Sequence, residues 1–347
     1  MLLDLQQIFP RAYGTALTTA VIKAKPEDFV VHETLSFELS GEGEHLYLEI
    51  EKRDTNTMWV VEQLAKHFAI KPRDIGYAGL KDRHAVTRQW FSLPTKACSQ
   101  DKLANFELAN TQILQSVLHR AKLRKGAIKH NQFALQLTQI ETDQATLTQR
   151  LSLIATQGVP NYFDEQRFGR GRHNLTAAQD YFAGQFKPKP AKRRLYISAA
   201  RSWLFNQVLA KRVEQDCWQQ GLAGDVFILE GSKRFFVEPT LDEQIQLRLA
   251  QGDIHPSAPL WGKGELDSLN EAKQFELTQL APWHEWCEKL AGQDLKQQRR
   301  ATRVIPGNLE HQYDAARHQL AICFTLPSGA YATNLLREVV DITVAGL

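Results

Sequence analysis

The sequence predicts an α+β protein in which a mainly antiparallel sheet is interrupted by a mixed, helix-rich insert. Three observations carry this. Strand-type alternation dominates residues 19 to 138, as where Leu46, Leu48 and Ile50 take one face and Tyr47, Glu49 and Glu51 the other. A wide helical stripe follows, made of Ile197, Ala200, Leu204, Phe205, Val208 and Leu209, with Arg201, Lys211 and Arg212 off it or at its edge. The strand pattern then returns in HQLAICFTL at 318 to 326.

In chain order, one helix interrupts the first strands. The polar DTNT at 54 to 57 opens it, and Val60, Val61, Leu64 and Phe68 share a face that should pack on a half-buried sheet. A second helix is expected over 143 to 157, ending before Gly158. KPKPAKRR at 187 to 194 reads as a proline-punctuated basic loop, and PSAPLWGKGE at 256 to 265 as another. A last helix is expected from about Ala330, with Tyr331, Leu335 and Val339 at i, i+4 and i+8. A strand-rich beginning and end around a helical middle assign 1–156 and 306–347 to one discontinuous catalytic domain and 157–305 to an insertion.

With 347 residues, 43% hydrophobic and 23% charged, the chain is long enough for two cores and has the composition of a folded, soluble protein. It contains no run of eighteen apolar residues and no signal-peptide pattern, so a cytoplasmic location without membrane contact is expected. Cys98, Cys217, Cys287 and Cys323 lie far apart and form no CxxC, which argues against a disulfide framework or a zinc cluster.

The net charge is only +3, but it is unevenly spread, with ten acids against five bases in residues 1 to 56. Later runs lack acids altogether. Residues 119 to 130 carry Arg120, Lys122, Arg124, Lys125 and Lys129, and residues 187 to 201 carry Lys187, Lys189, Lys192, Arg193, Arg194 and Arg201. A third run holds Lys296, Arg299, Arg300 and Arg303. One such run is most often a solvated face; three point to a phosphate-backbone partner.

The most informative segment is GYAGLKDRHAVTRQWFSLP at 76 to 94. On periodicity alone it is a hairpin connection with surface charges before a strand over Thr87 to Leu93. Its pattern G-x-K-D-x-x-A-x-T-x-Q, present as Gly79, Lys81, Asp82, Ala85, Thr87 and Gln89, resembles the signature of the TruD family of tRNA pseudouridine synthases. Five further segments agree in order: IKAKPEDFVVHE at 22, GAIKHNQFAL at 126, GVPNYFDEQRFG at 158, SAARSWLFNQ at 198 and LPSGAYATNLLREV at 326.

The resemblance implies the pseudouridine synthase fold with that family's insertion. It also implies a cofactor-free isomerisation of uridine 13 in the D arm of tRNA, with other structured RNA as a further partner and no obligate protein partner. The RNA would lie in a cleft lined by the basic runs. It makes Asp82 the nucleophile, Lys23 the cation paired with it, and Phe29, Asn131, Phe133 and Tyr331 substrate contacts. Lys81, Arg83, His84, Arg124, Lys125, Arg167, Arg193 and Arg194 become candidate RNA contacts.

The physical chemistry agrees with these roles. A carboxylate ionised at neutral pH attacks the ribose C1′ or the uracil C6 without a base to activate it, whereas removing the C5 proton afterwards needs a general base, either Asp82 itself or a water. Desolvation under RNA would neutralise the carboxylate unless a cation sat beside it. Lys81 is a poor candidate, since neighbours in an extended segment point to opposite faces. A phenyl ring at 133 can stack beneath a flipped-out base, worth about 1–3 kcal/mol, and Asn131 on the same strand face can meet a uracil edge. Without the resemblance, Lys23 would be an ordinary strand-surface lysine, and Phe29, Phe133 and Tyr331 plain core. Arg167, Arg170 and Arg172 could grip phosphates, or Arg167 could belong to a folded hinge; Asp164 replaces the glycine usual in the family, which leaves the local turn open.

A non-catalytic tRNA-binding or RNA-folding protein would have no need of a carboxylate facing a polyanion. A sugar hydrolase would need two carboxylates flanking one bond, and no such pair is evident. A P-loop, GxGxxG, HExxH and nucleophile elbow are all missing from the sequence.

Overall fold

The computed structural model describes residues 5 and 8–344. Contacts divide the chain into two compact units. One comprises Leu17–Thr148, Pro306–Gly329 and the C-terminal stretch from Val340; the other comprises the N-terminal segment up to Ala16, Gln149–Ile305 and Ala330–Val339. The long segment of the insert unit ends at Ile305, where the sequence placed its end, but begins at Gln149 rather than at 157, and two further segments join it. The reason is local bonding: the Glu338 carboxylate accepts from the backbone nitrogens of Ala12 and Tyr13, Arg337 donates to the Phe9 carbonyl, and Asn334 donates to that of Tyr162.

The first unit begins with β1 (Thr18–Ile22), β2 (Phe29–Leu35), β3 (His45–Arg53), α1 (Thr57–Phe68), β4 (Gly76–Tyr77) and β5 (Val86–Pro94). The short α2 (Gln100–Ala104), β6 (Thr111–His119) and β7 (Ile128–Thr138) follow. Asn56 caps α1 by accepting from Met58 N at 2.8 Å, and Ala69 closes the helix in the left-handed region. The apolar stripe of α1 covers Leu46, Leu48 and Ile50 of β3 as expected. The half-buried reading of that strand fails on its other face. Tyr47 is fully buried among Ala78, Trp90 and Leu123, and buried Glu49 is bonded to His32 and Gln115. A second apolar layer, including Phe37 and Ile128, covers what alternation alone marks as solvent.

α3 (Gln144–Gln157) spans the junction, with Asp143 accepting from Thr146 N ahead of it. The insert continues through β8 (Val159–Pro160), α4 (Glu165–Phe168), α5 (His173–Phe182), α6 (Pro190–Glu214), β9 (Val226–Leu229) and β10 (Phe235–Val237). It ends with α7 (Glu243–Gln251), β11 (Ile254–Leu260), α8 (Asn270–Leu280), α9 (His284–Ala291), β12 (Gln298–Ala301) and β13 (Arg303–Val304). The stripe of α6 is buried as expected, but Arg212 is not at its edge: it is fully buried and paired with Asp225. Both expected loops are wrong in part. Pro190 stands at the first helical position of α6, where its missing N–H costs nothing, so Ala191–Arg194 form the opening turn. PSAPL belongs to buried β11, which bonds to β9 over Ile254–Pro256 and to β12 over Ser257–Leu260; a strand paired on one side at a time tolerates prolines.

The chain closes with β14 (Gly307–Asp314), β15 (Gln319–Pro327), α10 (Ala332–Arg337) and β16 (Val340–Val344). The last helix is shorter than expected: Tyr331 precedes it and Val339 lies beyond it. β14, β15, β7, β2, β5, β3 and β6 lie side by side in a ten-stranded sheet that is antiparallel except where β2 meets β5 and β1 meets β16.

Candidate active site

The parallel pairing of β2 and β5 positions the chemistry. Val30 lies opposite Val86, so the residues leading into both strands, 23–28 and 79–85, emerge at the same end of the sheet. Register then sets side chains in rows across one face. Lys52, Thr87, Val31, Phe133 and Phe324 stand in one row, with Gln89, Glu33 and Asn131 in the next.

Asp82 lies in the loop before β5. Its Oδ2 is 3.3 Å from Lys23 Nζ, with the aspartate side chain 34% exposed and the lysine 13%. Lys23 adopts φ 57°, a left-handed conformation unusual for a non-glycine residue, directly after β1. Its ammonium also sits 4.1 Å from the centre of the Phe29 ring. Phe29, 4% exposed, meets Phe133 edge to face at 6.3 Å; Phe133, 8% exposed, stacks on Phe324 at 5.3 Å. The three rings form a continuous aromatic patch beside the ion pair.

The motif residues hold the loop. Thr57 Oγ1 accepts from Lys81 N at 3.1 Å and donates to Gln89 Oε1 at 2.9 Å, while Gln89 Nε2 donates to the Gly79 carbonyl at 3.2 Å. A side chain at Gly76, three residues before the motif glycine Gly79, would strike Ser92 and the Leu123 backbone, so glycine is sterically required at 76. Lys81 turns inward, 2.8 Å from Glu33 and 2.7 Å from Asn131 Oδ1. It therefore does not pair with Asp82, and its buried side chain corrects the expectation of an RNA contact. An ammonium can only donate, so this bond also fixes the Asn131 amide with its oxygen toward Lys81 and its nitrogen free to turn elsewhere.

Sequence reasoning missed Lys52. Fully buried, it donates to the carbonyls of Thr55 at 2.6 Å and of Asp82 itself at 3.0 Å. Burial lowers its pKa to about 8, opposed by the Asp82 charge and assisted by Lys81. The signal for it lay only in alternation, which puts Lys52 on the apolar face shared by Leu48 and Ile50.

The remaining candidates scatter. Arg83 and His84 are exposed near Asp54, at 3.9 and 3.0 Å, and Arg124 and Lys125 are exposed, with Lys125 over the Tyr77 ring. Tyr331 falls in the other unit, packed against the insert's core. Arg167, Arg193 and Arg194 line a cavity in the insert, whereas Arg172 is committed to Glu165. Asp164 takes the N-cap position of α4 in extended conformation, a place aspartate fits as well as glycine, and burial raises its pKa.

A family model for tRNA pseudouridine synthase D (TruD) matches residues 8–178 and 173–339. The chain belongs to this family. TruD members are tRNA-modifying isomerases, and the chain is 44% identical to tRNA pseudouridine synthase D of Nitrosococcus oceani over 96% of its own length and 94% of that protein's. It is 43% identical to the synthase D of Aeromonas hydrophila, covering 95% and 93%. The crystal structure of a putative tRNA pseudouridine synthase D from Methanosarcina mazei shares the fold, with a TM-score of 0.73, 22% identity and 96% of each chain covered. Among the described residues no helix is long and apolar enough to cross a membrane.

Proposed function

We propose that this chain converts uridine 13 in the D arm of tRNA to pseudouridine, with Asp82 as nucleophile, Lys23 as its counter-ion and no cofactor. The observation that carries the reading is the Lys23–Asp82 pair, kept partly open to solvent beside an aromatic patch on a face whose other charges are already engaged. The position of the target uridine comes from the family resemblance alone.

With the base swung out of its helix, the Asp82 carboxylate attacks C1′ and displaces the uracil, or adds to C6 and labilises the glycosidic bond. On the C1′ route the base turns and C5 attacks C1′, displacing Asp82, after which the C5 proton passes to a base; on the C6 route C5 bonds to C1′ while Asp82 is still on C6, and loss of the C5 proton to a base accompanies elimination of Asp82. Lys23 keeps the carboxylate ionised when RNA excludes water, and Lys52 adds a second positive charge beneath the same loop. The Asn131 amide nitrogen is available to a uracil carbonyl. Phe29 and Phe133 supply the apolar shelf, and Tyr331 is proposed as a further substrate contact. A protein that merely binds tRNA gains nothing from a half-open carboxylate facing phosphates.

The test uses tRNA from cells lacking this gene, treated with carbodiimide and read by primer extension after the protein is added back. A new stop at position 13, absent when that uridine is replaced by cytidine, is expected. A stop at another uridine instead would reject the site assignment.

A further inference from the structure

The insert contains a cavity of about 530 Å³ whose walls carry four arginines, Arg167, Arg193, Arg194 and Arg201, and no carboxylate. None of the four has an ion pair among the described residues. Arg201 spends its donors on three backbone carbonyls, those of Leu260, Trp261 and Lys296, and burial lowers its pKa. Arg193 donates to the Tyr181 hydroxyl and to Gln293, both neutral. The Arg167 guanidinium lies 5.2 Å from the centre of the Phe163 ring and, among the described residues, its side chain hydrogen-bonds only to Ser198, at 3.3 Å, with its buried Nε unmatched; Arg194 is exposed and bonds to nothing among the described residues. Elsewhere in the insert, buried Arg212 and Arg299 each hold a carboxylate, whereas buried Arg303 is met by His255 and two backbone carbonyls. The N-terminus of α6, with its partial positive charge, opens onto the same space at Pro190. Phe163 and Leu260 add apolar lining to the same cavity.

We propose that this cavity seats one nucleotide of the bound RNA, its phosphate held by Arg167, Arg193 and Arg194 and its base laid against Phe163 and Leu260. The inference rests on RNA being the substrate but not on Asp82 chemistry. Uncompensated guanidinium forks fit phosphate oxygens, and the volume beyond them exceeds what a phosphate alone would fill. The site is built wholly from insert residues, so it would grip RNA independently of the residues around Asp82.

The experiment measures tRNA binding by fluorescence anisotropy on the full chain carrying Asp82→Asn, which removes turnover. Adding Arg167→Gln and Arg194→Gln should weaken binding about tenfold or more and reduce the slope of log K against log salt by about 1 to 2. Lys233→Gln with Lys289→Gln, exposed insert residues outside both the cavity and the basic runs, should change affinity less than about threefold. Unchanged melting temperatures certify folding, which neither pair should disturb. Binding equal to the parent in the arginine variant, or an equal loss in the lysine control, would overturn the proposal. So would micromolar binding of free uridine monophosphate that the arginine changes abolish, since the cavity would then serve a free nucleotide. If the unmodified enzyme formed no pseudouridine while the arginine effect persisted, the catalytic reading would fall and this one would stand.

Discussion

Two fully buried cations sit in very different company. Arg212 in the insert faces Asp225 through two hydrogen bonds of 2.8 and 2.5 Å, and that carboxylate raises its pKa. Lys52 beneath the Asp82 loop has only carbonyls as hydrogen-bond partners, one of them belonging to Asp82, and its pKa falls to about 8. A buried charge with its own counter-ion is a fixed part of the core. One left without a counter-ion next to a carboxylate is a cost in stability that chemistry can use.

The contrast can be broken at several points. Removing the carboxylate partner by Asp225→Ala should destabilise the insert by about 3–5 kcal/mol, because Arg212 is left buried and uncompensated; urea unfolding measures this. Lys23→Met should lower the single-turnover rate about a hundredfold, roughly the 2.7 kcal/mol of a charge-assisted pair, with tRNA affinity little changed. Lys52→Met should lower that rate about tenfold while leaving stability at pH 7 nearly unaltered, since losing the buried charge offsets losing two hydrogen bonds.

The sign of the pH effect follows from the lowered pKa. Below about pH 8 the folded protein bears the full cost of burying the protonated Lys52 amine, on the order of 3 kcal/mol; that cost fades as pH rises toward the ordinary value of 10.5. Urea titrations should therefore show Lys52→Met matching the parent at pH 7 and falling behind it at pH 10. Phe133→Ala should act on binding rather than on the chemical step, raising KM by the equivalent of about 1–3 kcal/mol of lost stacking.

Local signals were legible in the chain. The DTNT cap and the i, i+3, i+4 stripe located α1, and alternation located β15, because each is decided within a few residues. The ion pair of Lys23 with Asp82 was reached through resemblance; its geometric cause, the parallel register of β2 on β5, joins segments some fifty residues apart and leaves no mark in either. Glu33 as the partner of Lys81, and Lys52 under the loop, were hidden for the same reason. Prolines misled twice, at Pro190 and in β11, because a missing N–H matters only where the fold needs one, and that depends on the neighbours.

The central claim is that Asp82 attacks the nucleotide. The most direct measurement is the single-turnover rate of pseudouridine formation by Asp82→Asn with enzyme in excess over tRNA. The account predicts no product above the rate without enzyme, at tRNA affinity within a few-fold of the parent. Product formed within about tenfold of the parent rate, a difference of only 1.4 kcal/mol, would contradict it.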